Sequence, residues 1–241
     1  MRYAVIADVH GNLEALEAVL KKLREESYDA LLFLGDSVGY GPNPNECIEA
    51  LKNKAQVLLA GNHDRAVVGL ADTAFFNPHA RTAVEWTQEV LTDENRKLLV
   101  SLPIAKQMRD ENLYLVHSTP KEPEKWHYLI TSWDAYKNFP FFSEKICLIG
   151  HSHVPAIIEE PPEGKINMFN IRAEIKENHR YIINAGSVGQ PRDGNPDAAY
   201  VLLTENSAEI KRVSYDILLT QKKMRDAGLP DHLINRLAKG M

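Results

Sequence analysis

The sequence predicts an α/β (α+β) fold. Short apolar runs alternate with amphipathic stretches of helical period. The links between them are short, and most runs stop at a glycine followed by polar residues. Strand–helix–strand order with short links is the pattern of packed sheet and helix layers. With 241 residues, 44% apolar and 25% charged, the chain suits one large domain spanning 1–241 better than two small ones.

The first run is Tyr3–Ala7. Leu13, Leu16, Val19, Leu20 and Leu23 then recur at helical spacing, with Asn12 placed as N-cap. Ala30–Leu34 is a second run, which stops at Gly35-Asp36. Gly39–Pro44 reads as a loop, and Glu46–Lys52 as a second helix. Val57–Ala60 is a third run, which stops at Gly61-Asn62-His63-Asp64. Residues from about Ala66 to Leu102 read as a helical insertion, with helices over His79–Leu91 and Glu94–Leu102. Strands follow at Leu113–Val116, Ile146–Ile149, Tyr181–Ala185, Ala199–Leu203 and Glu209–Val213. Glu159–His179, rich in Pro, Gly and charge, reads as a surface hairpin or loop. Tyr215–Met241 reads as a helical tail, two short helices broken at Gly228-Leu229-Pro230.

The net charge is −5, from 28 Lys plus Arg against 33 Asp plus Glu. A mildly acidic chain argues against general nucleic-acid or membrane binding. No apolar run has the length of a membrane span, and Asp8 interrupts the N-terminus too early for a secretory core. Cys47 and Cys147 fall in apolar patterns and read as buried, reduced thiols. These features favour the cytoplasm. The oligomeric state stays open: the tail can cover its own domain or a neighbour.

The chemistry lies where the runs end. Asp8-Val9-His10-Gly11-Asn12, Gly35-Asp36, Gly61-Asn62-His63-Asp64, His117 and Gly150-His151-Ser152-His153 each follow an apolar run. Strand ends of an open α/β sheet deliver side chains to a shared crevice. Imidazoles and carboxylates suit Mn, Fe, Co and Zn. In Asp8-x-His10 and His151-x-His153, an extended backbone would put both side chains on one face. Asp36 has two oxygens to share between two metals, and Asn62 offers a neutral amide oxygen. Two divalent ions about 3.5–4 Å apart can clamp the attacking and leaving oxygens of an in-line displacement. Taken singly, each piece has an ordinary explanation: Gly-Asp is a common turn, Asn62 a cap, and His117 a packed strand-end histidine. Their conjunction is what points to a binuclear centre. His79, His127, His179 and His232 lack this placement and read as surface or packing residues. Trp86, Trp126, His127, Tyr128 and Trp133 read as packing before base stacking.

Asp-x-His, Gly-Asp, Gly-Asn-His-(Asp/Glu), His and Gly-His-x-His, in this order from Asp8 to His153, resemble the calcineurin-like metallophosphoesterases. The resemblance implies a two-sheet β-sandwich flanked by helices, in four layers, and a metal-dependent phosphoric ester hydrolase. It implies one metal on Asp8, His10 and His153, another on Asn62, His117 and His151, and Asp36 between them. His63 would be no ligand but the proton donor to the leaving alkoxide, and a metal-bound hydroxide would attack phosphorus in line.

Gly35–Pro44 and Gly186–Asp193 are similar to the bacterial and archaeal branch of phosphodiesterases related to diadenosine tetraphosphatase. On this reading the substrate is a small phosphate ester, with nucleotides among the candidates. Arg192 can pair with phosphate or with a carboxylate such as Asp193, and Arg65 has a weaker claim to phosphate. Gly39 and Tyr40 stand where protein phosphatases of the superfamily carry the Asp and Arg of Gly-Asp-x-x-Asp-Arg-Gly. That departure removes the carboxylate that would orient the catalytic imidazole. A non-catalytic interaction module on the same fold is the alternative, but such modules lose ligands, and every ligand position is filled here.

Overall fold

A computed structural model of the chain describes every residue except Phe75. Its strands are β1 (Tyr3–Ile6), β2 (Ala30–Phe33), β3 (Val57–Leu58), β4 (Ala105–Met108), β5 (Leu113–Val116) and β6 (Ile146–Ile149). They continue with β7 (Ala156–Glu160), β8 (Asn167–Phe169), β9 (Arg172–Glu174), β10 (Arg180–Asn184), β11 (Ala198–Leu203) and β12 (Ser207–Val213). One sheet has the order β3-β2-β1-β11-β12-β9, the other β4-β5-β6-β10-β7-β8. In each sheet the strands that lead to the chemical clusters are parallel: β1 with β2 and β2 with β3, then β5 with β6 and β6 with β10. Their C-terminal ends therefore open on one side of the molecule.

Apolar alternation sorts the strand residues into layers. Tyr3, Val5 and Leu32 of one sheet meet Leu115, Leu148 and Ile183 of the other. The opposite faces are covered by helices, which is why these strands read as continuous apolar runs. Ala4, Ile6, Leu31 and Phe33 pack on α1 (Leu13–Leu23) and α2 (Pro44–Lys52). Cys147, Ile149 and Ile182 pack on α6 (Ser132–Asn138) and the turn that follows it. The result is helix, sheet, sheet, helix: the four-layer sandwich.

Most boundaries agree with the sequence pattern, α1 with its Asn12 cap most closely: the Asn12 side chain accepts from Ala15 N at 3.1 Å. Between α1 and α6 come α3 (Asn62–Val67), α4 (Pro78–Val90) and α5 (Asp93–Ser101). The tail forms α7 (Ile217–Asp226) and α8 (Asp231–Leu237), and it covers its own chain. Thr220 Oγ1 donates to Glu14 Oε2 at 2.9 Å, and Leu233 and Leu237 pack with Ala80 and Ala83 of α4.

One expectation is corrected. Glu159–His179 is not a hairpin or loop on the surface alone. Its β8 extends one sheet and its β9 the other, so the segment crosses between the sandwich edges. Three-residue edge strands with exposed polar positions carry too little alternation to be read from sequence. Cys47 and Cys147 are buried and free. No helix among the described residues is long and apolar enough to cross a membrane.

Candidate active site

Asp8 and His10 follow β1, Asp36 follows β2, and Asn62 and His63 begin α3 after β3. His117 follows β5, while His151 and His153 follow β6. All these side chains are buried. Both sheets thus contribute to one cradle.

The backbone that carries them is not extended. Asp8, His10, Asp36, His151 and His153 all have φ between 50° and 63°. The side chains of each x-spaced pair converge through left-handed backbone rather than through the two-residue repeat of a strand. Left-handed non-glycine residues are costly and concentrate where surrounding structure enforces them. Here the parallel ladder continues past the strands: Asp8 N donates to Gly35 O at 3.0 Å and His10 N to Asp36 O at 3.0 Å.

The ligand atoms converge. Asp8 Oδ1 lies 3.3 Å from His153 Nε2 and 3.7 Å from His10 Nε2. Asp36 Oδ2 lies 3.4 Å from His117 Nε2 and 3.7 Å from His10 Nε2. Asp8, His10 and His153 form one group able to hold a cation and Asp36, His117 and His151 another, while His10, Asp36 and His63 form a third that overlaps both. Behind the rings, backbone oxygens select the tautomer. His10 Nδ1 sits 3.1 Å from Val38 O, His117 Nδ1 2.9 Å from Leu34 O, and His153 Nδ1 2.6 Å from Gln190 O. Each Nδ1–H donates backward and turns Nε2 inward, the atom that a metal-ligating histidine presents. His151 is reversed: its Nε2 meets Trp126 O at 2.9 Å, which leaves Nδ1 to face the cradle.

The residues fit divalent cations. Asp8 Oδ1, Asn62 Oδ1 and His117 Nε2 are buried and have no hydrogen-bond partner among the described residues, a state polar groups seldom keep without a ligand. The electrostatics agree. Burial pushes the His10 and His63 imidazoles down to about 3, and it also lowers His151 and His153. Burial opposes charge on His117 too, but Asp36 and Asp8 outweigh it and push that ring up to about 9. Neutral imidazoles at His10, His151 and His153 beside paired carboxylates are part of a cation's donor set, which His117 joins by giving up its proton.

Several residues missed in the sequence hold this arrangement. Asp64 Oδ2 accepts from Asp36 N and Gly61 N at 2.8 and 2.9 Å. Its Oδ1 accepts from Ser37 N, Ser37 Oγ and Val38 N. Asp64 therefore builds the turn that carries Asp36; its signal was its place inside the third cluster. Asn184 Nδ2 donates to Gly150 O and Ser152 Oγ, both at 2.9 Å, and so fixes the His151–His153 turn. Ser187 Oγ donates to Asp8 O at 2.7 Å.

The two arginines part ways. Arg65 donates to Val100 O and Leu102 O at 3.2 and 2.6 Å, so its guanidinium caps the end of α5. Arg192 is half-buried, and among the described residues it has no carboxylate within 4 Å. It donates to Gln190 Oε1 and Tyr40 Oη, while Asp193 pairs with Arg212. Of the remaining histidines, His79 and His232 stack on one another, His179 pairs with Glu159, and His127 is exposed. Trp126 and Tyr128 line the cleft over the cradle, Trp86 packs under the tail, and Trp133 stacks on Tyr136 at the surface.

Residues 1–163 match the sequence profile of the calcineurin-like phosphoesterases. The chain belongs to that family. It is a metal-dependent phosphoric ester hydrolase. It is 39% identical to an uncharacterized protein of Methanocaldococcus jannaschii, over 98% of this chain and 97% of that one. A metallophosphoesterase from Sphaerobacter thermophilus superposes with a TM-score of 0.87 and 41% identity, covering 100% of this chain and 99% of its own. A phosphodiesterase of Escherichia coli is 25% identical over 92% of this chain and 97% of its own.

Proposed function

We propose that this member of the family is a two-metal phosphoesterase for a small phosphate ester, working as one unit over residues 1–241. The observation that carries the reading is the set of ring nitrogens turned inward by backbone carbonyls around two carboxylates. Asp8, His10 and His153 would hold one cation, and Asn62, His117 and His151 the other. Asp36, whose Oδ2 lies between His10 and His117, would touch both. The donors suit Mn, Fe, Co or Zn. When bound, such a pair supplies activated water near neutral pH and offsets phosphate charge.

The chain's own groups do the rest. His63 lies against His10 at 4.8 Å between ring centroids and lines the cleft, where the negative charge of a bound phosphate would favour its protonated form and let it give a proton to the leaving oxygen. Arg192, a cation without a carboxylate, would hold a phosphate oxygen. Arg65, tied to α5, would act on phosphate only by way of the loop it braces. The cleft has a volume of about 230 Å³. It is lined by Asn62, His63 and His151 together with Phe76, Trp126 and Tyr128, and the Tyr128 ring stacks on His151. That space admits a small ester and offers rings to a flat group such as a nucleobase. The charge balance favours small substrates over nucleic acid, and a cytoplasmic site of action accords with free thiols.

The test is to strip the protein with chelator, restore Mn²⁺, and compare bis-p-nitrophenyl phosphate with p-nitrophenyl phosphate. Metal-dependent turnover of either is expected, and the ratio assigns diester or monoester preference. No turnover with any of the four metals bound would refute the reading.

A further inference from the structure

The groups around His63 are unusual for a proton donor. Its Nδ1 is buried, and among the described residues no carboxylate or carbonyl is hydrogen-bonded to it. The ring is instead enclosed by other rings. Tyr40 stands 4.5 Å away at 61°, Phe76 4.8 Å away at 51°, and His10 4.8 Å away at 85°. Gly39 closes the remaining side: a Cβ there would come within 2.5 Å of His63 Nδ1.

Tyr40 is itself held firmly. Its ring also lies 4.5 Å from His10, its hydroxyl accepts from Arg192 Nη2 at 3.2 Å, and it is 6% exposed. Its far side belongs to the cluster formed by Met224, Leu229, Leu233 and Leu237 of the tail. Aromatic pairs prefer defined separations and tilts, so a fixed ring restrains its neighbour without a hydrogen bond.

We propose that Tyr40 is the positioning residue for His63, holding the imidazole at the leaving oxygen by ring contact, with the C-terminal helices as its support. The proposal rests on the phosphoesterase reading with His63 as acid. It assigns the tail a part in the site: α7 and α8 keep the Tyr40 ring in place and thereby aim His63.

The experiment uses the Mn²⁺-loaded protein and a series of aryl phosphodiesters of rising leaving-group pKa. Tyr40→Ala, Tyr40→Phe and His63→Ala are compared with the unaltered chain. A proton donor flattens the dependence of kcat/KM on leaving-group pKa. Tyr40→Ala should steepen it, with a loss of about tenfold or more on the poorest leaving group and little on the best. Tyr40→Phe keeps the ring and should keep the flat slope. Tyr40→Leu, which keeps an apolar side chain against the tail but no ring, serves if Tyr40→Ala does not fold. A second readout needs no turnover. In metal-free protein labelled at histidine, the His63 ring should give one sharp NMR resonance in the unaltered chain and Tyr40→Phe, and a broadened or divided one in Tyr40→Ala. If His63→Ala steepens the slope and Tyr40→Ala leaves both slope and resonance unchanged, the positioning role is overturned and the acid survives. If His63→Ala leaves the slope flat, the acid assignment itself is overturned.

Discussion

The Nε2 atoms of His10 and His153 face each other at 3.0 Å, and each ring is fixed from behind by a backbone carbonyl. Burial keeps both rings neutral, so two lone pairs meet unless something positive lies between them. A cation there relieves the conflict and stabilises the fold by mass action. Metal at 100 to 1,000 times its Kd is worth about 3–4 kcal/mol, or roughly 5–15 °C in a chain of this size. Differential scanning fluorimetry of stripped protein with and without Mn²⁺ checks this; an unchanged Tm contradicts it.

Metal uptake should release a proton. In the metal-free protein His117 is pushed up to about 9, burial notwithstanding, by Asp36 and Asp8. The pairing of His117 with Asp36 is thus fully present below the unfolded imidazole value of about 6.5 and is lost as pH rises through about 9. A metal needs the neutral ring. At pH 7.5 binding should therefore expel about one proton per chain, and affinity should climb with pH. A weakly buffered indicator titration reads the proton directly, and its absence would place His117 in the neutral state beforehand.

Asp64→Asn should damage the site without touching it. The carboxylate gathers donors from Gly61, Asp36, Ser37 and Val38, and an amide would turn its own donor toward some of them. A loss of about 2–3 kcal/mol in stability is expected, together with reduced metal content. Denaturant unfolding and elemental analysis measure the two. Full metal occupancy in the variant would show that Asp36 holds its place unaided.

Gly39→Asp, which restores a carboxylate seen in protein phosphatases, should fail to help. Gly39 has φ of 142°, and a side chain there meets both His63 and His10. L-residues rarely adopt that backbone. The variant is expected to lose turnover on every aryl ester. Improved turnover on poor leaving groups would contradict the ring-packed account of His63.

The residues of the cradle were legible because each follows an apolar run that is itself easy to read, as Asp36 follows Ala30–Phe33. The α1 boundaries were legible for the same reason, with Asn12 and a regular leucine period. The left-handed backbone at Asp8 and His153 was not. It depends on hydrogen bonds to Gly35 and on the loop at Gln190, far away in sequence. Asn184 and Ser187 look like ordinary strand-end residues until the fold brings them to the His151 turn and to Asp8. Tyr40 was visible as part of the Gly35–Pro44 stretch and as a departure from the protein-phosphatase motif, with nothing to mark its contacts. Its contacts with Leu233 and Leu237 need the last helix, almost the whole chain away.

The central claim is that one cradle holds two cations with Asp36 between them. Elemental analysis of reconstituted, gel-filtered protein tests it most directly, with Asp36→Asn alongside. Two equivalents of metal per chain are expected, falling to about one or fewer in the variant. One equivalent in the unaltered protein, or two retained without the Asp36 carboxylate, would contradict it.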